Sequence, residues 1–216
     1  MSVWVVVVAA GSGRRFGARK QFALLGGRRL VHWAVDAARA VADGVVLVVP
    51  PGDAPEVTAP TAPGTGADVV VVGGDTRAAS VRCGLAAVPS SAEVIVVHDG
   101  ARPLASPALF RAVVAAVAGG ADAAVPGLAV VDTLKRVDDD VITATVGRDG
   151  VVAVQTPQAF RAELLRRAHA GASEATDDAA LVESLGATVR VVPGDPRNIK
   201  VTTAADLEVA QALAAS

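Results

Sequence analysis

Val3-Trp4-Val5-Val6-Val7-Val8 runs directly into Ala9-Ala10-Gly11-Ser12-Gly13-Arg14-Arg15-Phe16-Gly17-Ala18-Arg19-Lys20-Gln21. A near-continuous valine run suits a strand buried on both faces, as in a parallel sheet covered by helices. The segment after it therefore leaves the carboxyl end of a strand, where open α/β sheets place their ligands. Glycines let backbone N–H groups approach phosphate oxygens, and Arg14, Arg15, Arg19 and Lys20 bring charge to neutralise them. The combination points to a polyphosphate; the same four cations would also suit an ordinary solvated loop.

Two familiar glycine loops are excluded. A P-loop carries its lysine beside Ser or Thr at a helix start, and here Gln21 follows Lys20. A dinucleotide fingerprint needs a third glycine where Phe16 stands, and an acid after the second strand where Pro50 and Pro51 stand. Outward from the loop the chain alternates strand and helix patterns. Val45–Val49, Val69–Val72 and Val94–Val97 read as strands, and 31–41, 78–88 and 107–118 as helices, which predicts strand-helix-strand units and a mainly parallel sheet. The rhythm breaks from Asp132 to Val154, where two short alternating runs flank Asp138-Asp139-Asp140 and predict a hairpin-like arm. Helices over 162–169, 177–185 and 203–214 and a strand over 188–192 complete the chain, with Thr203 and Asp206 as a capping pair. The segment 50–66, rich in Pro and Gly, reads as a mobile surface loop. The expected architecture is α/β: a single three-layer Rossmann-like domain over 1–216, with a protruding β-arm over 132–154.

Composition narrows the functions open to it. Twenty basic residues nearly balance 22 acidic ones, so no global field draws the chain to nucleic acid or to an anionic membrane, and any anion site must be local. Tyrosine is absent and aromatics are 3% of the chain, which argues against base-stacking platforms. Cys83 is the only cysteine, so no internal disulfide or multi-thiolate metal site exists, and a reducing, cytoplasmic setting is expected. The N-terminal apolar run ends near Ala10, too short to span a bilayer. His98 at a strand end reads as a packing or hydrogen-bonding residue. His32, within a helix, and His169, near a helix end, read as surface or helix-terminal residues.

The loop ending in Lys20-Gln21 resembles the signature of the sugar-nucleotide-type pyrophosphorylases, in their cytidylyltransferase branch. Gly73-Gly74-Asp75-Thr76-Arg77-Ala78-Ala79-Ser80-Val81, His98-Asp99-Gly100-Ala101-Arg102-Pro103, Asp132-Thr133-Leu134-Lys135, Thr156-Pro157-Gln158 and Asn198-Ile199-Lys200-Val201-Thr202 follow in the order seen in the 2-C-methyl-D-erythritol 4-phosphate cytidylyltransferase family. The resemblance spans essentially the whole chain. It implies condensation of CTP with methylerythritol phosphate, with release of pyrophosphate, in non-mevalonate isoprenoid synthesis. It implies catalytic roles for Arg15, Lys20, Arg148 and Lys200. Gly74, Asp75 and Ser80 would recognise cytosine and ribose; Ala10, Gly11, Gly13, Arg102 and Thr133 would also contact substrate, and Thr156 and Thr176 would hold the acceptor. Asp99 would serve Mg²⁺, a hard cation that prefers carboxylate oxygen. The arm resembles a dimerisation element, so a homodimer is implied, although Gly147 stands before Arg148 where related sequences often have an acid. Two other readings stay open: a ribitol 5-phosphate cytidylyltransferase, and a nucleotide-binding domain without turnover.

Overall fold

Valine-rich runs become the strands of a twisted sheet, and the alanine- and leucine-rich segments between them become the helices that cover it. The computed structural model describes residues 1–11, 23–52, 65–171 and 177–215. In chain order the elements are β1 (Val3–Val8), β2 (Leu24–Leu25), β3 (Arg28–Arg29), α1 (Leu30–Arg39), β4 (Gly44–Val49), β5 (Val69–Val72), α2 (Arg77–Ala87), β6 (Val94–Asp99), α3 (Pro107–Ala118), β7 (Ala123–Ala129), β8 (Leu134–Asp138), β9 (Val141–Val146), β10 (Val152–Val154), β11 (Gln158–Arg161), α4 (Ala162–Ala168), α5 (Asp178–Glu183), β12 (Val189–Pro193) and α6 (Ala204–Ala215).

β1 pairs in parallel with β4 on one side and β6 on the other, and β4 pairs in parallel with β5. Beyond β6 the sheet turns antiparallel through β11 and β7, and β12 joins β7 in parallel. Ala123 has Phe160 and Val189 as partners, and Gly127 has Val154 and Pro193, so β10 and β11 follow one another along one side of β7 while β12 lies on the other.

Alternate residues of the central strands face opposite layers. Val5, Val7, Leu47 and Val96 pack with Val35 of α1 and Phe110 and Val113 of α3. Val6, Val48, Ile95 and Val97 pack with Val81 and Leu85 of α2, Leu165 of α4 and Val182 of α5. Burying each such side chain is worth about 1.5–3 kcal/mol, which is why a run with no polar residue is stable only when covered on both faces. α6 docks apart from these layers, placing Leu207 and Ala210 against Leu25, Leu30 and Val201.

Local chemistry sets the element ends. Thr76 caps α2 by accepting from the Ala79 N–H at 3.1 Å, and Ser106 caps α3 ahead of Pro107. Thr203 and Asp206 bond reciprocally at the start of α6, at 3.2 and 2.8 Å, as the sequence predicts. Gly26 and Gly27, both at positive φ, form the two-residue turn between β2 and β3. Asp139 and Asp140 adopt positive φ between β8 and β9, a conformation that short polar side chains tolerate.

The sheet is mostly parallel, as expected, with four parallel pairings; the three antiparallel ones involve β7, β10 and β11, and β7 and β11 go unread in the sequence. Pro126 makes β7 look broken; it sits where the neighbouring strand changes from β11 to β10, and its carbonyl still accepts from the Gln155 N–H at 2.8 Å. The arm does not extend over 132–154: β10 belongs to the main sheet, and the separate two-stranded sheet is β8–β9 alone. His32 and His169 are buried rather than superficial. Of the expected mobile loop, residues 53–64 lie outside the described residues.

Candidate active site

The loops leaving the carboxyl ends of β1, β4, β5 and β6 enclose a cavity of about 550 Å³. Its walls are Val8 to Gly11, Pro50 and Pro51, Gly74 to Arg77 with Ser80, and Asp99 to Ala101, with Lys200 closing one side. The chain leaves β1 towards β4 and leaves β6 towards β7, so the cavity opens at the point where the strand order diverges.

The wall after β5 depends on small residues. A Cβ on Gly73 would lie 2.5 Å from the Ala10 Cβ, and one on Gly74 would lie 2.6 Å from the Ala79 Cβ, so only glycine lets this segment pass between the β1 loop and α2. The buried Ser80 hydroxyl lies 2.9 Å from the Thr76 carbonyl and 3.2 Å from that of Gly74, and fastens the turn to the helix. Asp75 is exposed at the rim. α2 starts here, so the positive end of its dipole lies at the cavity wall.

Asp99, the last residue of β6, forms the floor. Its Oδ2 is 2.6 Å from Lys200 Nζ and its Oδ1 is 3.3 Å from Arg77 Nε. Burial works to raise its pKa, but Arg77, Lys200 and Arg102 outweigh that and hold the carboxyl well below the usual carboxylate range. Arg77 bridges onwards, with Nη1 2.8 Å from Asp178 Oδ2. Beneath the carboxylate, the Asp99 N–H donates to Thr156 Oγ1 at 3.0 Å, so that hydroxyl gives its proton to His98 Nδ1, 3.1 Å away. His98 then holds its own proton on Nε2 and donates it to the Arg102 carbonyl at 3.2 Å. Burial pulls the His98 pKa down to about 4, against the opposing pull of Asp99, so the ring is neutral at neutral pH.

Lys200 is positioned by the backbone around it. The Val201 N–H donates to the Ala101 carbonyl at 2.8 Å. The fully buried Asn198 donates to the Thr156 carbonyl at 2.8 Å and to Gln155 Oε1 at 3.3 Å, and its own carbonyl accepts from Arg102 Nη1 at 2.7 Å. Gln155 in turn holds the Asp195 backbone, donating at 2.9 Å and accepting at 3.1 Å. The ammonium is thus presented from a braced loop while 40% of the side chain stays exposed to the cavity.

Ala10, Gly11, Gly74, Asp75, Ser80, Asp99 and Lys200 all line this one cavity. Arg102 and Thr156 lie beneath it, tied into the bracing. Thr133 and Arg148 are exposed at the base of β8–β9, outside its lining, and Arg148 donates to the Val131 carbonyl. Gly13, Arg15, Lys20 and Thr176 lie outside the described residues. The sequence reading gives no role to Arg77, Gln155 or Asp178. A signal for Arg77 did exist: a cation in the first turn of a helix is unfavourable there unless an acid holds it. Nothing local marks the other two, whose partners are distant in sequence.

Among the described residues no group of three or more metal-ligating side chains occurs, so a divalent ion here would take one protein carboxylate and complete its shell with phosphate oxygens and water. Asp99 fits that use, because Lys200 and Arg77 each occupy one lone-pair direction of its two oxygens and leave others open.

The family model described as IspD, 2-C-methyl-D-erythritol 4-phosphate cytidylyltransferase, matches residues 3–216. The chain belongs to this family. It is 46% identical over 217 residues to the 2-C-methyl-D-erythritol 4-phosphate cytidylyltransferase of Nocardia farcinica, covering 98% of this chain and 94% of the relative. It is 44% identical to the bifunctional enzyme IspD/IspF of Solidesulfovibrio magneticus, covering 96% of this chain but only 56% of that longer protein. The chain thus spans little more than half the length of such two-part relatives. The crystal structure of the 2-C-methyl-D-erythritol 4-phosphate cytidylyltransferase of Thermus thermophilus superposes with a TM-score of 0.82 at 40% identity, covering 100% of this chain and 99% of that one. The synthase of Anaerococcus prevotii superposes with a TM-score of 0.84 at 31% identity, with 100% and 99% covered. In the cytidylyltransferase family fold seen here, the mostly parallel sheet carries the cavity at its carboxyl edge. Among the described residues no helix is long and apolar enough to cross a membrane.

Proposed function

We propose that this chain transfers CMP from CTP to 2-C-methyl-D-erythritol 4-phosphate, giving 4-diphosphocytidyl-2-C-methyl-D-erythritol and pyrophosphate. The observation that carries the reading is the Asp99–Lys200 pair on the floor of a cavity whose wall is the Gly74–Ser80 turn, in a chain of this family. An acceptor phosphate oxygen attacks the α-phosphorus in line, and catalysis consists of positioning and of stabilising charge on the phosphoryl oxygens. Lys200 supplies such charge from a fixed loop, joined by Arg15 and Lys20 of the glycine loop. The N-terminus of α2 and the backbone of Ala10 and Gly11 favour the anionic nucleotide. Asp75 and the turn that Ser80 fastens bound the base and ribose. Mg²⁺, when bound through Asp99, would neutralise and orient the triphosphate. No general base is required, since a phosphate monoester is already largely dianionic at neutral pH, with its second pKa near about 6; the neutral, fully bonded His98 is accordingly a structural residue.

The acceptor side falls to Arg148, Thr133 and Thr176; Thr156, buried with its hydroxyl bonded to Asp99 and His98, braces the floor instead of holding the acceptor. We further propose a homodimer through β8–β9, where Val137, Val141 and Ile142 are 54%, 64% and 60% exposed. A lone two-stranded hairpin is marginal in water, so a second copy supplies the missing surface and brings Arg148 to a site. The balanced charge and the single thiol fit a cytoplasmic enzyme with no nucleic-acid or membrane partner.

Pyrophosphate release from CTP and Mg²⁺, run in parallel with methylerythritol phosphate and with ribitol 5-phosphate, tests the proposal. Release is expected with the first acceptor only. Preference for ribitol phosphate would move the chain to the other cytidylyltransferase class, and silence with both would leave a binding domain.

A further inference from the structure

A chain of side chains runs from the cavity floor into the protein: Lys200, Asp99, Arg77, Asp178 and His169. The distances are 2.6 Å from Lys200 to Asp99, 3.3 Å from Asp99 to Arg77, 2.8 Å from Arg77 to Asp178, and 2.9 Å from Asp178 Oδ1 to His169 Nε2. Its inner end is deeply buried: Asp178 is 1% exposed and His169 4%. Asp178 is also held in place. It is the first residue of α5, whose cap Asp177 accepts from the Ala180 N–H at 3.0 Å and from Gln158 Nε2 at 3.0 Å, while His169 Nε2–H donates to Asp178 itself. A fixed, buried carboxylate thus pulls on one arm of the Arg77 guanidinium.

We propose that Asp178 is a positioning residue which restrains Arg77 so that Asp99 stays open to the nucleotide's cation. A guanidinium is a planar fork that prefers to grip a carboxylate through two parallel bonds. Here the fork is divided: Nε faces Asp99 and Nη1 faces Asp178, so Arg77 touches only one oxygen of Asp99. Without Asp178 the same fork is free to turn onto both oxygens of Asp99, against Lys200 and against any cation. The inference rests on the reading of Asp99 given above, and it adds a reason why a cation sits at the first turn of α2.

Binding of Mg²⁺ and CTP by calorimetry, alongside kcat, tests this in three variants of the full chain. Asp178→Asn is expected to weaken Mg²⁺–CTP binding and to lower kcat by about tenfold, with the KM for the acceptor little changed, as coupled neighbours do when one is removed. Adding Arg77→Met to Asp178→Asn removes the fork along with its restraint, while the amide oxygen at position 178 still accepts from His169 Nε2. That double variant is expected to bind Mg²⁺–CTP more tightly than Asp178→Asn alone, because no fork remains to close on Asp99. Asp178→Asn with unchanged affinity and kcat would overturn the inference. So would a folded double variant that binds Mg²⁺–CTP no more tightly than Asp178→Asn. Asp99→Asn separates this from the underlying reading: parent-like binding there sinks both, whereas loss there beside a normal Asp178→Asn sinks only the role of Asp178.

Discussion

The two halves of the sheet contribute to the site in different ways. The parallel half, β6-β1-β4-β5, offers strand ends, small residues and backbone: Ala9 to Gly11, Gly73 and Gly74, and the α2 terminus. The mixed half, with β7, β10, β11 and the segments after them, contributes little to the cavity surface. It contributes the braces behind that surface, Gln155, Thr156, Asp178 and Asn198, which fix Asp99, Arg77 and Lys200. The contrast teaches that one half makes the space and the other half fixes the charges in it.

The sharpest way to break this comparison is Lys200→Ala, which removes a charge and leaves its support intact. We expect kcat to fall by roughly 10²- to 10³-fold, the effect of losing a preorganised charge at a reacting phosphoryl group. Stability should change by less than about 1 kcal/mol, since the pair is partly exposed. A kcat within threefold of the parent, from steady-state pyrophosphate release, would show that the braced loop presents the wrong residue.

His98 tests the brace through pH. Its pKa falls from 6.5 to about 4 in the folded chain, so between those values the unfolded chain binds a proton that the folded chain refuses. Stability is therefore held above pH 6.5 and lost as the pH falls through this window, by up to about 3 kcal/mol. Burial lowers His32 as well, and it adds a loss of the same sign. Asp99, whose pKa is also lowered, contributes its loss only below the ordinary carboxylate range. Urea unfolding at pH 7 and pH 5 should show the slope, and His98→Gln should shrink it. An equal slope in the variant would mean that the ring is not the group that titrates.

Asn198→Ala removes donors to Thr156 and Gln155 without touching the cavity. About 2 kcal/mol of stability should go, the cost of stranding buried partners. A several-fold drop in kcat should accompany it as Lys200 loses its fixed position. Lost stability with parent kcat would reduce Asn198 to a scaffold residue.

The smallest effect expected is at Arg148. Arg148→Ala should raise the KM for methylerythritol phosphate several-fold while leaving that for CTP, because an acceptor contact made equally in ground and transition states appears in KM. Mixing this variant with Lys20→Ala should recover activity if the arginine acts across a dimer. A monomer by light scattering, or no recovery despite subunit exchange, would count against the shared site.

What the sequence determined by itself was local. The strands β1, β4, β5 and β6 are written in valine runs, because a strand buried on both faces has no tolerance for polar residues. The capping pair Thr203 and Asp206 and the acidic turn at Asp139 are written in residues whose side chains satisfy neighbouring backbone groups. The motifs at Gly74, Asp99 and Lys200 were legible too, and they meet in one cavity because strand ends and the segment before α6 share an edge of the sheet. Only the tertiary structure decided the rest. β10 and β11 are short, and β7 carries Pro126 and Gly127 with a single β-branched residue, so their order comes from pairing with one another and with β6, contacts that no local pattern records. The bonds from Thr156 to Asp99, from Asn198 to Thr156 and from Asp178 to Arg77 join residues 42 to 101 positions apart, and only folding could bring such polar groups together and bury them as partners.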